Sequence, residues 1–136
     1  MTVMLSFVGL APWAVGIEVI ECDTPDGVVD MYNDSMLLSA TFTCDSVPTL
    51  SFLLVDCGSG REYYLEFLGV KGLVFEQDSL TFGANLWDPR TVKTFYGVEL
   101  PSSEDVSALE IRTIVGNYNL QCDSVRFRWG GVRNPR

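Results

Sequence analysis

The sequence of 136 residues contains no histidine. This absence removes the commonest general base, the Ser-His and Cys-His nucleophile pairs, and the usual ligand of catalytic zinc sites. The sequence also lacks the G-x-x-x-x-G-K pattern of a phosphate-binding loop. We therefore expect a protein without catalytic activity and without a cofactor.

Lysine and arginine are absent from residues 1–60, although that stretch carries eight acidic residues. The rest of the chain holds ten acids and all nine bases, and the net charge of the whole is −9. Such an asymmetry steers association with a basic protein and argues against nucleic acid, whose phosphates need a cationic surface. The alternative is that the acids only keep the protein soluble. The acids that we select as candidates for partner binding are Glu18, Glu21, Asp23, Asp26, Asp30 and Asp34.

Residues 1–16 are almost entirely apolar but carry no positive charge, and the first charged residue is Glu18. A secretory signal begins with a positively charged region, and a membrane-spanning helix needs about 20 apolar residues. Gly9, Pro12 and Gly16 interrupt the stretch further. We expect a first strand here, a cytoplasmic protein and no association with a membrane.

The four cysteines are spread along the chain and none forms a C-x-x-C pair, so a zinc site is not indicated. We expect four reduced thiols that serve mostly as small buried apolar side chains.

The run Asp23, Asp26, Asp30 and Asp34 does not match the spacing of an EF-hand loop.

Apolar residues recur at every second position between Met36 and Gln77, which is the spacing of side chains on one face of a strand. Residues 45–48 and 58–60 carry Asp, Ser, Pro and Gly, which favour chain reversal. The pattern predicts an antiparallel meander of three strands. Its predicted inward side chains are Met36, Leu38, Ala40, Phe42 and Cys44, then Leu50, Phe52 and Leu54, then Tyr63, Leu65 and Phe67.

About eight short strands with turn signals between them are typical of an all-β fold, an antiparallel sandwich or open barrel. We expect a single domain over 1–136, with 130–136 as a mobile tail. A hairpin around Gly116–Asn119 is expected to join strands 109–115 and 120–129. The alternative is a small α+β fold with one short helix near 102–110.

Three further features bear on chemistry or binding. Glu62 and Glu66 share one strand face, on which their Cα atoms are about 13 Å apart. This separation is long for the two catalytic carboxylates of a glycosidase, so we expect a solvated face. The basic C-terminal residues are expected to balance the acidic half within the fold or against a second subunit. Trp87 lies between charges in an expected loop and is a candidate anchor for a partner.

The segment from Tyr32 to Gln77 resembles small bacterial proteins of the toxin-immunity class. The resemblance rests on a polar corner at 32–35, strands at 36–44 and 49–57, and the pattern F-x-G-V-x-x-L from Phe67 to Leu73. It implies an acidic, compact protein that neutralises a toxin by binding it.

The leading hypothesis is therefore a non-catalytic protein that binds and inhibits a basic protein partner, such as a toxin. A second hypothesis is a phage or bacterial structural or accessory protein that self-assembles through strand edges, for example as a homodimer. A third is a carbohydrate-binding or calcium-binding β-module. The sequence leaves all three open.

Overall fold

The structure is a computed structural model that describes residues 5–14, 16–77, 93–100 and 108–132. Within those ranges the chain forms twelve strands and no helix. The strands are β1 (Ser6–Val8), β2 (Glu18–Val19), β3 (Glu21–Thr24), β4 (Gly27–Asp30), β5 (Ser35–Cys44), β6 (Pro48–Asp56), β7 (Arg61–Leu68), β8 (Lys71–Gln77), β9 (Phe95–Glu99), β10 (Ala108–Thr113), β11 (Gly116–Gln121) and β12 (Ser124–Val132).

Ten strands form two five-stranded sheets, and β3 and β4 form a separate hairpin. Sheet I has the order β1-β12-β7-β6-β5, and sheet II has the order β2-β9-β10-β11-β8. Every pair is antiparallel except β1 with β12, which is parallel. The predicted all-β fold is confirmed, with more strands than expected. Of the segment near 102–110 proposed as a helix, 101–107 lies outside the described residues, and β10 begins at Ala108.

The predicted meander is present as β5, β6 and β7. Its second and third strands alternate as expected, because their inward side chains enter the core between the sheets. Phe52 lies at the centre of that core, where its ring packs edge-on against Phe67, Phe95 and Tyr118 at centroid distances of 5.9, 5.7 and 5.2 Å. The confirmed inward residues are Leu50, Phe52, Leu54, Tyr63, Leu65 and Phe67, each 0–2 % exposed.

The predicted inward face of the first strand, β5, is wrong in its burial. The register of β5 against β6 shifts between Leu37 and Ser39, which is a β-bulge at Leu38. Beyond the bulge, residues 39–44 are all exposed, and Phe42 keeps 43 % of its surface accessible. The reason is position, since β5 is the last strand of sheet I.

The predicted turn at Gly116–Asn119 is also wrong, because these residues lie in β11 and pair with β10 and β8. The chain reverses instead at Ile114 and Val115. The Ile114 N–H donates to the carbonyl oxygen of Thr94 at 2.9 Å, so this apolar turn is buried against the start of β9. The predicted strand 120–129 is divided at residues 122 and 123, which connect β11 of sheet II to β12 of sheet I.

The expected first strand is present in shortened form at Ser6–Val8. At the other end, β12 extends through Val132, which pairs with Arg61, and residues 133–136 lie outside the described residues. Among the described residues, no helix is long and apolar enough to cross a membrane.

Candidate protein-binding surface

The β3–β4 hairpin brings together most of the acids selected from the sequence. Its register places Glu21 opposite Asp30 and Asp23 opposite Val28. Residues directly opposite each other on an antiparallel pair lie on the same face, with Cβ atoms about 5 Å apart. We call this outward face the acidic face of the hairpin; it consists of Glu21, Asp23, Val28 and Asp30.

The opposite face of the hairpin fixes it to the protein. Cys22 and Val29 are 0 % and 5 % exposed, and Met31 immediately after β4 is 0 % exposed. The Met31 N–H donates to the carbonyl of Ile20 at 2.8 Å. Because Cys22 is buried, the pKa of its thiol rises to about 12, and it acts as an apolar core residue.

The turn of the hairpin is held by its own side chains. The Thr24 hydroxyl donates to the Gly27 carbonyl at 2.7 Å and accepts the Asp26 N–H at 3.1 Å. The Asp26 carboxylate in turn accepts the indole N–H of Trp129 at 3.0 Å, and the Arg61 guanidinium stacks 3.9 Å from the centre of that indole. Asp26 therefore has a structural role in tethering the turn to β12.

Asp30 also has internal partners. One carboxylate oxygen accepts the N–H groups of Tyr32 and Asn33 at 2.9 and 2.8 Å, and the other accepts the Asn33 side-chain amide at 3.0 Å. Partial burial opposes ionisation, but these bonds outweigh it and hold the pKa of Asp30 below its usual value. Asp30 is thus ionised and shapes the corner that follows β4.

Glu18 precedes the hairpin in β2 and forms an ion pair with Arg112 of β10. The carboxylate is the main reason that the pKa of Arg112 is raised above its usual value. The pair borders an open groove of about 500 Å³ that Ile20, Tyr32 and Tyr96 also line. Both residues of the pair belong to sheet II, so the Glu18 carboxylate already has a partner within that sheet.

Glu21, Asp23 and Asp34 are the exposed acids that remain. Among the described residues, none of their carboxylates forms an ion pair or a side-chain hydrogen bond. Sequence reasoning did not single out Val28, which is 61 % exposed directly opposite Asp23. The sequence feature that could have revealed this exposure is the pair of adjacent valines in Gly27-Val28-Val29-Asp30. On a strand, only one of two adjacent side chains can face inward. Trp87 lies outside the described residues.

Arg126 and Arg128 form ion pairs within the fold, but their partner lies outside residues 1–60, the acidic half that we expected them to balance. Both guanidiniums contact Glu66 of β7, with N–O distances of 2.8 and 3.1 Å. The expectation that Glu66 is solvated is wrong, because the residue is 5 % exposed. Arg128 also stacks on Tyr64 at 4.0 Å. Arg133 and Arg136 lie outside the described residues.

The remaining side chains that could coordinate a metal do not converge. Among the described residues, no three His, Cys, Asp or Glu side chains are close enough to hold a metal ion. The cysteines are free thiols, with Cys22 and Cys122 buried and Cys44 and Cys57 exposed, so only half of them fit the expected buried role.

No protein-family model matches this chain, and neither the curated proteins nor the solved structures contain a significant match.

Proposed function

We propose that this protein is a non-catalytic inhibitor that binds a basic protein partner through the β3–β4 hairpin and covers that partner's surface, as an immunity protein does. The observation that carries the proposal is the acidic face of the hairpin. It presents two carboxylates without internal partners, Glu21 and Asp23, around the exposed side chain of Val28.

The rigidity of the hairpin supports this role. A binding element that is already ordered loses little conformational entropy on association. The hairpin is ordered from both sides, by Cys22 and Val29 in the core and by the hydrogen bonds of Thr24 at the turn. Its acidic face is therefore presented in one conformation.

The placement of charge and apolar surface supports protein binding in particular. Carboxylates at the rim of an interface raise the association rate with a basic partner, and a central apolar side chain contributes affinity once it is desolvated. Val28 is flanked across the hairpin by Asp23 and followed by Asp30 two residues later, which reproduces that arrangement on a small scale.

Affinity capture tests the proposal. The tagged chain is exposed to a lysate of its source organism at low and moderate salt, and captured proteins are identified by mass spectrometry. We expect one basic protein that is retained at low salt and lost as salt rises, because screening weakens the attraction between exposed charges. The double variant Glu21→Lys with Asp23→Lys should recover about tenfold less of that protein.

The matched control is Asp45→Lys with Glu76→Lys. Both residues are exposed, and neither lies in the hairpin. The two double variants change the net charge equally, so the control separates a local contact from the overall charge. Equal capture by wild type and the hairpin variant would overturn the proposal, as would equal loss in both double variants.

A further inference from the structure

One edge of sheet I is formed by β5, the longest of the strands among the described residues. β5 has ten residues, and within the described part of the chain its only partner strand is β6. Residues 39–44 are exposed along their whole length. At an edge, every second residue directs its N–H and C=O away from the sheet, so this segment offers hydrogen-bonding groups to another strand.

The other sheet edges carry features that discourage pairing. β1 and β2 have only three and two residues. β8 carries Lys71 and Glu76, and Gly72 has a left-handed φ of +62°. Charged side chains, short lengths and irregular backbone are the usual protections of an edge strand. β5 has no charge, no proline and no glycine.

Only the second half of β5 is open. In the first half, the Leu37 N–H donates to the hydroxyl of Thr94 at 2.8 Å, and the β-bulge at Leu38 interrupts the regular ladder. A partner strand would therefore be limited to the segment Ser39–Cys44, which is long enough for a short antiparallel ladder.

We propose that β5 pairs antiparallel with β5 of a second copy of this chain, joining the two copies of sheet I into one ten-stranded sheet. The two-fold axis of such a dimer is perpendicular to the sheet. Opposite residues in an antiparallel pair point to the same face. At the axis, one residue of β5 must therefore lie directly opposite the same residue of the second copy.

The register with Thr41 on the axis suits the side chains best. It places Ala40 opposite Phe42 of the second copy. By symmetry this pairing of a small with a large side chain occurs on both sides of the axis. On the other face, Thr41 lies opposite Thr41 of the second copy and Ser39 opposite Thr43, which are hydroxyl pairs that stabilise strand pairing. Phe42, 43 % exposed in one copy, would lose much of that exposure.

The self-complementary register and the absence of charge on β5 favour a second copy as the occupant. A basic partner gains nothing from a strand without carboxylates, and the chain has a separate acidic hairpin for such a partner. Each copy has a net charge of −9, so two copies repel each other. Because β5 is uncharged, the two copies can approach there with little additional electrostatic repulsion. Since salt screens that repulsion, the dimer should strengthen as salt rises, which is opposite to the effect on binding of a basic protein.

Sedimentation of the full chain in reductant, at low and high salt, tests this proposal. We expect a concentration-dependent species of about twice the 15.1 kDa chain mass, more populated at high salt. Thr41→Lys should weaken the dimer about tenfold or more, because it places like charges directly opposite each other. Val74→Lys is the control, since it adds the same charge at a 55 % exposed site on β8.

The register is tested by crosslinking. In a background with Cys44→Ser and Cys57→Ser, which removes the exposed thiols, Thr41→Cys should form a disulfide-linked dimer under mild oxidation. Thr43→Cys should not, because its opposite residue is Ser39. A monomer at all concentrations and salts would overturn the proposal. So would equal weakening by Thr41→Lys and Val74→Lys, or crosslinking through Thr43→Cys in place of Thr41→Cys.

Discussion

Glu66 illustrates how neighbours across a sheet decide the role of a single residue. Its position on a strand predicts only which face it shares with Glu62. The structure adds two arginines from the adjacent strand β12, paired in the register Arg126 with Glu66 and Arg128 with Tyr64. Burial opposes ionisation, but the hydrogen bonds and positive charges of Arg128 and Arg126 hold the pKa of Glu66 below its usual value.

Glu66→Gln should lower the free energy of unfolding at neutral pH by about 1–3 kcal/mol, because it removes charge-assisted hydrogen bonds from two guanidiniums. A lowered folded-state pKa contributes stability above the unfolded pKa that is lost as pH falls through the folded value. The difference between wild type and Glu66→Gln should therefore shrink on acidification to about pH 3. Urea unfolding at several pH values measures it.

The control is Glu76→Gln, at an exposed position on β8. Surface substitutions of this kind change stability by about 0.5 kcal/mol or less. A pH-independent effect of Glu66→Gln, or an effect as small as that of Glu76→Gln, would contradict the role assigned to the ion cluster.

The candidate binding acids show what could be predicted residue by residue. Charge counting indicates that the segment 18–34 is acidic. It does not distinguish Asp26 and Asp30, which have internal hydrogen-bond partners, from Glu21 and Asp23, which do not. That distinction depends on Trp129, a residue more than one hundred positions away, and on the local corner after β4.

At the scale of elements, the period of two predicted β6 and β7 well because each has a neighbouring strand along both of its edges. The same period gave the wrong burial for β5, because an edge position and a bulge are not visible in local alternation. The turn at Ile114 and Val115 was missed for a similar reason. The Ile114 N–H donates to the carbonyl oxygen of Thr94, which is distant in sequence, whereas the polar run of β11 has the composition of a turn.

Gly116 begins β11 directly after that turn and is the glycine on which the strand's position most depends. Its φ is +151°, and a Cβ at this position would collide with the backbone oxygen of Glu76 and the ring of Phe75 in β8. Gly116→Ala should destabilise the protein by about 3 kcal/mol, combining backbone strain with overpacking. Thermal and urea unfolding measure the change.

Gly72→Ala is the matched comparison within β8. Gly72 also has a left-handed φ, of +62°, but no atom of the described residues lies within 4 Å of the place that an added Cβ would occupy. Only strain remains, so the expected cost is about 1 kcal/mol. Equal costs at the two positions would show that crowding against β8 does not constrain Gly116.

At the scale of the whole molecule, the charge has two separate consequences. The long-range field depends on all the charges, and the net value of −9 acts on any partner at a distance. Short-range binding depends on the carboxylates that have no internal partner, and Glu18, Asp26 and Asp30 each have one. In the complex that we propose, the hairpin provides contact, while the remainder of the molecule contributes to steering.

The association rate of the captured basic protein, measured against ionic strength, tests whether the acidic hairpin is the binding surface. We predict that the rate for wild type falls steeply with salt, and that Glu21→Lys with Asp23→Lys lowers the rate at low salt and flattens this dependence more than Asp45→Lys with Glu76→Lys does. The two double variants change net charge by the same amount, so the difference between their slopes reports the hairpin alone. Identical salt dependence in wild type and the hairpin variant would contradict the assignment of the acidic hairpin as the binding surface.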